Sequence, residues 1–185
     1  MLRPALFLDR DGVVIKETGS YVWQKSKAIL EPDLQRFLFA MQNFFSIIVV
    51  ITNQGGVAKH LYSKRQVEYL HEDLMERAEV AFHPFEVHWY FCPHHPSVGA
   101  CFCRKPDNLH FQRSIYTHGI DPHTSVMIGD QVRDMIPARR MGMYTLLISE
   151  SKIDDPSVNL SVTSLSEAQI HLQQRLAFDF GSQLT

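Results

Sequence analysis

The sequence has no surplus of either charge, because 18 lysines and arginines nearly balance 20 aspartates and glutamates, for a formal net charge of −2. Proteins that bind nucleic acid or an anionic membrane usually carry a basic patch, so we expect neither partner. No apolar run approaches the roughly 20 residues of a membrane span. The apolar stretch within residues 1–9 is interrupted by a carboxylate and is too short to fit a signal peptide. We therefore expect a cytoplasmic protein, and a monomer because no strong apolar stripe is visible.

Cysteine is also scarce, and Cys92, Cys101 and Cys103 all lie within residues 92–103. An odd, clustered set is a poor disulfide framework, whereas clustered thiols in a reducing compartment often bind metal. Together with His94 they form a Cys₃His set, which suits structural, tetrahedral Zn²⁺. Spacing alone does not separate His94 from His95 as the fourth ligand. The alternative is a group of free thiols with surface histidines.

The chain is 45% hydrophobic, which is enough for the core of one domain covering 1–185. Apolar runs predict strands, and amphipathic patterns between them predict helices. Strand and helix alternate, which predicts an α/β fold with a parallel sheet flanked by helices. A short edge strand is expected within 151–163. The strands are predicted at 5–8, 46–51, 86–91, 125–128 and 144–148, and the helices at 33–44, 63–80, 107–118, 134–141 and 164–176.

Polar residues follow each of the first four predicted strands, where a parallel sheet would gather them at one edge. Alone, each group is typical of a turn, a helix cap or a surface lysine. Together, three acids, a lysine and a hydroxyl are typical of a Mg²⁺-assisted phosphate site. The residues concerned are Asp9 and Asp11, then Thr52, Asn53, Gln54 and Gly55, then Arg104 and Lys105, and finally Asp130.

The ordered set Asp9-x-Asp11-Gly12, Thr52-Asn53, Lys105 and Gly129-Asp130-x-x-x-Asp134 resembles the haloacid dehalogenase (HAD) superfamily of phosphotransferases over about residues 4–148. The resemblance implies a Rossmann-like fold and Mg²⁺-dependent phosphoryl transfer through an aspartyl-phosphate. Asp9 would be the nucleophile, and Asp11 the general acid and then the base. Thr52 and Lys105 would hold the phosphoryl oxygens. Mg²⁺ would be bound by Asp9, the main-chain carbonyl of Asp11 and Asp130. Asp134 would contact these ligands rather than the ion itself.

The zinc loop, Cys92-Pro93-His94-His95-Pro96 with Cys101-x-Cys103-Arg104-Lys105-Pro106, is similar to that of the heptose 1,7-bisphosphate 7-phosphatase branch. The histidinol-phosphatase domain shares this loop. The branch implies a small sugar bisphosphate as substrate, bound by Glu17, Tyr21, the 52–55 turn, Arg104 and Lys105. Arg104 would contact the second phosphate or a sugar hydroxyl.

Several alternatives remain beside this assignment. The chain departs from the usual pattern of the branch at Ser20 and Gln131, which leaves the sugar and its anomer open. Histidinol-phosphate hydrolysis, polynucleotide 3′-phosphatase activity and a non-catalytic zinc-stabilised binding module are the competing functions. The stretch 12–51, which includes a predicted helix, leaves no room for a separate cap domain, so we expect an open site.

Overall fold

The structure is a computed structural model that describes residues 2–181, with side chains described over 2–177. All five predicted strands are confirmed, and the short edge strand is present. The predicted helix 63–80 is divided in two. The strands are β1 (Ala5–Leu8), β2 (Ile47–Asn53), β3 (Glu86–Cys92), β4 (Val126–Gly129), β5 (Tyr144–Ile148) and β6 (Leu160–Val162). The α-helices are α1 (Leu34–Met41), α2 (Lys64–Arg77), α3 (Glu79–Phe82), α4 (Leu109–His118), α5 (Val132–Arg140) and α6 (Leu165–Gly181).

The six strands form one parallel sheet in the order β3-β2-β1-β4-β5-β6. The register pairs Leu6 with both Ile48 and Val126, so β1 lies between β2 and β4. The strand order reverses at β1, and ligands in such sheets bind beyond the carboxyl ends of the strands at that point. The sheet therefore places the ends of β1, β2 and β4 side by side.

Helices cover both faces of the sheet. Successive strand residues point to opposite sides, so β1 contributes side chains to the core on each face. Leu6 and Leu8 belong to one buried cluster, with residues of α1, α2 and α6. Ala5 and Phe7 belong to the other, with residues of α4 and α5. Residues 5–8 are wholly buried, so β1 forms a rigid base for the residues that follow it.

The first turns of two helices show how the sequence sets their boundaries. Ser63 accepts a hydrogen bond from the Gln66 main-chain N–H at 3.2 Å, and the Gln66 side chain accepts one from the Ser63 N–H at 2.9 Å. This capping box begins α2. Helix α5 begins two residues earlier than predicted, at Val132, because Asp134 is its third residue and accepts from the Gln131 N–H at 3.1 Å.

The loops after β1 and β3 carry no inserted domain within residues 2–181. The only helix between β1 and α1 is a 3₁₀ turn at Lys25–Lys27, and no helix or strand lies between β3 and α4. This agrees with the predicted lack of a cap. Among the described residues, no helix combines the length and apolar character needed to cross a bilayer.

Candidate active site and metal centres

A cleft of about 500 Å³ opens beyond the carboxyl ends of β1, β2 and β4. Most of the residues predicted to form the site line it. These are Asp9, Asp11, Glu17, Tyr21, Thr52, Asn53, Gln54, Lys105 and Asp130. The cleft wall also includes Gln131 and Arg133, to which the sequence interpretation gave no role. Two predicted substrate residues, Gly55 and Arg104, are not part of the wall.

Lys105 lies buried at the floor of the cleft between two carboxylates. Its Nζ is 2.8 Å from Asp9 Oδ1 and 2.9 Å from Asp134 Oδ1, and the residue is only 2% exposed. Burial acts to lower the pKa of Lys105, but Asp134 and Asp9 outweigh it, so its pKa is raised and the ammonium stays charged. One cation thus faces two acids in a site with little access to water.

Burial raises the pKa of Asp9 from 3.8 to about 8, against the opposing effect of Lys105. Asp134 and Asp11 add to the increase. The single positive charge of Lys105 therefore compensates one ionised carboxylate. A second ionised carboxylate in this buried site needs a further cation nearby. The pKa of Asp130 is also raised, first by burial and then by Asp134.

The acidic residues fit a hard divalent cation. Asp9, Asp130 and Asp134 each offer an oxygen, and these oxygens lie within 4.8 Å of one another. Gly12 has φ +86°, and a Cβ there would lie 2.8 Å from the Asp130 carboxyl carbon, so only glycine lets the loop after β1 approach so closely. Carboxylate oxygens at the end of a rigid sheet are ligands that suit Mg²⁺.

Asp11 has a different environment from Asp9, although one residue separates them. The guanidinium of Arg10, which is wholly buried, donates from Nη2 to Asp11 Oδ1 at 2.8 Å and to Oδ2 at 3.0 Å. Gln54 Nε2 donates to Asp11 Oδ2 at 2.9 Å, and the Thr52 hydroxyl lies 3.3 Å from the same oxygen. These donors hold the Asp11 carboxylate in one orientation at the cleft wall.

The side chain of Gln54 is in turn hydrogen-bonded to Tyr62, which belongs to an aromatic cluster. The Tyr62 hydroxyl donates to Gln54 Oε1 at 2.8 Å, and burial raises the pKa of Tyr62 to about 12, which keeps it a donor. The rings of Tyr21 and Trp23 pack against Tyr62 at centroid distances of 5.9 and 6.0 Å. Sequence reasoning missed Arg10, Trp23 and Tyr62. The only signal for Arg10 was its position between two predicted catalytic aspartates.

Asn53 and Arg104 serve the structure around Lys105. The Asn53 amide donates to the Lys105 carbonyl and accepts from the Lys105 N–H, both at 3.0 Å, which fixes the main chain of the lysine. Arg104 Nη1 donates to the His94 carbonyl at 3.2 Å. A Cβ at Gly55 would lie 3.2 Å from that Nη1, so Gly55 packs on the zinc loop and is not part of the cleft wall.

The four predicted zinc ligands come together. Cys92 Sγ lies 3.7 Å from Cys101 Sγ and 3.2 Å from Cys103 Sγ, and His94 Nδ1 lies 3.2 Å from Cys103 Sγ. Tetrahedral Zn²⁺ with bonds of about 2.3 Å to sulfur separates two thiolates by roughly 3.8 Å, so small adjustments admit the ion. The neighbouring His95 instead pairs with Ser97 Oγ at 2.7 Å. The geometry favours His94 over His95.

A second group of metal-ligand types lies at the opposite end of the sheet. Glu86, His88 and His118 each offer an atom within 4.8 Å of the others. Arg3 already donates to Glu86 at 2.9 Å, and Tyr90 pairs with His118 Nε2 at 2.8 Å. These contacts account for the group as a surface ion pair and hydrogen bonds.

Comparison with known proteins gives related sequences. A family profile described as HAD-hydrolase-like matches residues 102–166. The D-glycero-beta-D-manno-heptose-1,7-bisphosphate 7-phosphatase of Haemophilus ducreyi is 31% identical over 153 residues, which cover 80% of this chain and 84% of that protein. The enzyme of that name from Helicobacter pylori is 31% identical over 88% of this chain and 93% of its own. The histidine biosynthesis bifunctional protein HisB of Campylobacter jejuni is 30% identical over 81% of this chain but only 43% of that protein.

Solved structures share the fold. The D,D-heptose 1,7-bisphosphate phosphatase of B. bronchiseptica, complexed with magnesium and phosphate, superposes with a TM-score of 0.79 at 23% identity. The match covers 93% of this chain and 99% of that one. A putative HAD-like phosphatase from Mesorhizobium loti gives a TM-score of 0.78 at 23% identity, over 92% of this chain and 87% of that one.

Proposed function

Since the chain belongs to the HAD-like hydrolases and is a phosphatase of that family, we propose that it removes the 7-phosphate of D-glycero-D-manno-heptose 1,7-bisphosphate through an aspartyl-phosphate. The observation that carries the mechanism is the buried group at the cleft floor, where Lys105 lies 2.8 Å from Asp9 and the oxygens of Asp130 and Asp134 are close by. The name of the curated relatives supports the substrate.

In the first step, the Asp9 carboxylate attacks phosphorus in line, and the bond from phosphorus to the ester oxygen breaks as the bond to Asp9 forms. Asp11 gives its proton to the departing sugar oxygen. Lys105 and Thr52 stabilise charge on the transferring phosphoryl oxygens. Asp9, the Asp11 carbonyl and Asp130 would hold Mg²⁺, which supplies the positive charge that lets a phosphate dianion approach these carboxylates.

In the second step, Asp11 accepts a proton from water, which attacks the phosphorus of the aspartyl-phosphate. The bond between phosphorus and Asp9 breaks, and inorganic phosphate leaves. The contacts from Arg10 and Gln54 keep Asp11 in place for both transfers. The cleft is open within the described residues, which suits a small phosphorylated metabolite.

We also propose that the chain forms one domain and acts as a monomer in the cytoplasm. A reducing environment there would keep the clustered thiols available for zinc.

Histidinol phosphate is the second candidate substrate, because HisB is 30% identical over 81% of this chain. A phosphate-release screen with and without Mg²⁺ separates them. We expect turnover only with Mg²⁺ and the highest kcat/KM for the heptose bisphosphate. A clear preference for histidinol phosphate would contradict the substrate, and no release from any phosphomonoester would contradict the function.

We further propose that the Cys₃His group holds one structural Zn²⁺. The variant His94→Ala should lose zinc, lower the melting temperature and reduce kcat/KM by about 10- to 100-fold, because Lys105 lies only two residues after the proposed ligand Cys103. Metal analysis of the purified protein, thermal melts and phosphate release check this.

The matched control is His95→Ala, since that side chain pairs with Ser97 and should keep stoichiometric zinc. Loss of zinc from His95→Ala but not from His94→Ala would reverse the ligand assignment. A zinc-free His94→Ala protein with wild-type kcat/KM would show that the loop has no influence on the active site.

A further inference from the structure

The cleft wall is rich in carboxylates and poor in available positive charge. Asp9, Asp11, Glu17 and Asp130 line it, and Lys105 and Arg133 are its only cationic residues within the described part of the chain. The reaction proposed above starts from a substrate with two phosphate esters. One is transferred at Asp9, and the other must find a partner among these groups.

Lys105 is not available for the second phosphate. It is 2% exposed, and its ammonium is engaged with Asp9 and Asp134 at the cleft floor. In the proposed reaction it contacts the phosphoryl group that is transferred, since it lies beside the nucleophile.

Arg133 is placed differently. It is exposed, it lines the cleft, and it is the second residue of α5. Within residues 2–177 no recorded hydrogen bond or ion pair involves its side chain. The start of α5 is fixed by the 3.1 Å bond from the Gln131 N–H to Asp134, so the main chain that carries Arg133 has a defined position beside Asp130.

Two other cationic residues near this end of the sheet contact other groups of the chain. Arg104 donates to the His94 carbonyl, and the Lys59 ammonium lies 5.4 Å from the centroid of the Tyr21 ring. Neither lines the cleft. Gln131, which does line it, is neutral, and its amide donates to Asp130 at 3.2 Å.

We propose that Arg133 is a specificity-determining residue that recognises the second anionic group of the substrate, a phosphate ester remote from the phosphoryl group that is transferred. A guanidinium offers parallel donors that match two phosphate oxygens. This inference rests on the proposed phosphatase function. It also explains how a cleft lined by carboxylates would select a bisphosphate over histidinol phosphate, whose remote end carries an amine in place of an anion.

The test compares two substrates that differ only in the remote phosphate, heptose 1,7-bisphosphate and heptose 7-phosphate. For the wild type we expect a higher kcat/KM with the bisphosphate. The variant Arg133→Ala should lower kcat/KM for the bisphosphate by about 10- to 100-fold, the range for hydrogen bonds to a charged group, mainly through KM. Its kcat/KM for the monophosphate should stay within about twofold of wild type, and Arg133→Lys should retain part of the preference, because it keeps the charge but not the paired donors.

Arg140→Ala is the matched control, because it removes an exposed arginine from the other end of the same helix. Thermal melts of each variant establish that it is folded. Equal losses on both substrates in Arg133→Ala, or loss of the preference in Arg104→Ala in its place, would overturn the inference while leaving the phosphatase function standing. A wild-type enzyme that hydrolyses neither compound would overturn the proposed function and this inference with it.

Discussion

Asp9→Asn should abolish phosphate release and leave the fold intact. An amide cannot replace the carboxylate as a nucleophile, and removal of a nucleophile of this kind typically costs more than about 10⁴-fold in kcat. The substitution is nearly isosteric, and Lys105 keeps its ion pair with Asp134 at 2.9 Å. Steady-state phosphate release, with circular dichroism to verify folding, measures the effect.

The same variant should change how stability depends on pH in Mg²⁺-free buffer. The pKa of Asp9 is raised mainly by burial, from 3.8 to about 8. Between these values the native wild type retains a proton that the unfolded chain has released, so its stability falls as pH rises through this window. The amide introduced by the substitution does not titrate. Asp9→Asn should therefore gain stability relative to the wild type as the pH increases from about 4 to about 8.

Asp107→Asn serves as the matched control, because Asp107 is an exposed carboxylate two residues after Lys105. It should retain wild-type turnover. Substantial activity in a verified Asp9→Asn preparation would eliminate Asp9 as the nucleophile, and would favour a role for the site in binding alone.

Lys105→Met should be both destabilising and inactive. Lys105 supplies the buried positive charge next to Asp9 and Asp134, and loss of one member of a buried ion pair usually costs about 3–5 kcal/mol of unfolding free energy. The variant also loses the group proposed to stabilise the transferring phosphoryl oxygens. Urea unfolding in Mg²⁺-free buffer measures the loss of stability, and phosphate release measures the loss of activity. The buffer contains no chelator, because a chelator would remove zinc.

The double variant Lys105→Met/Asp134→Asn separates stability from catalysis. Removal of the charge on Asp134 should recover much of the lost unfolding free energy, since Asp134 is then no longer an uncompensated buried anion. Its activity should stay low, because Lys105 is still missing. If the double variant recovered activity along with stability, Lys105 would be a structural residue only.

The positions of the proposed catalytic groups could be predicted because they follow from main-chain rules. Buried apolar runs fix the strands, a parallel sheet brings their carboxyl ends to one edge, and Asp9, Thr52 and Asp130 each follow such a run. The proposed zinc ligands Cys92, His94, Cys101 and Cys103 were identifiable because they lie close together in one loop, so no long-range packing had to be known.

The contacts that orient Asp11 could not be predicted, because they depend on side-chain packing between distant parts of the chain. Gln54 lies 43 positions from Asp11, and its amide reaches the carboxylate only once β1 and β2 are paired. In the sequence, Tyr62 is only an aromatic residue that precedes a predicted helix. Its hydrogen bond to Gln54 forms only in the folded chain. A wholly buried Arg10 runs against the usual exposure of arginine. Similarly, nothing local distinguished Arg133, which lines the cleft, from the arginines later in α5 that do not.

The most direct test is to look for the phosphoryl group on Asp9. The zinc- and Mg²⁺-loaded enzyme would be mixed with excess heptose bisphosphate, quenched in acid within a single turnover, digested and examined by mass spectrometry. The mechanism predicts a peptide that contains residue 9 with the added mass of one phosphoryl group, removable by hydroxylamine and missing from Asp9→Asn. Rapid turnover with no labelled peptide at any quench time, or a label on another residue, would contradict it.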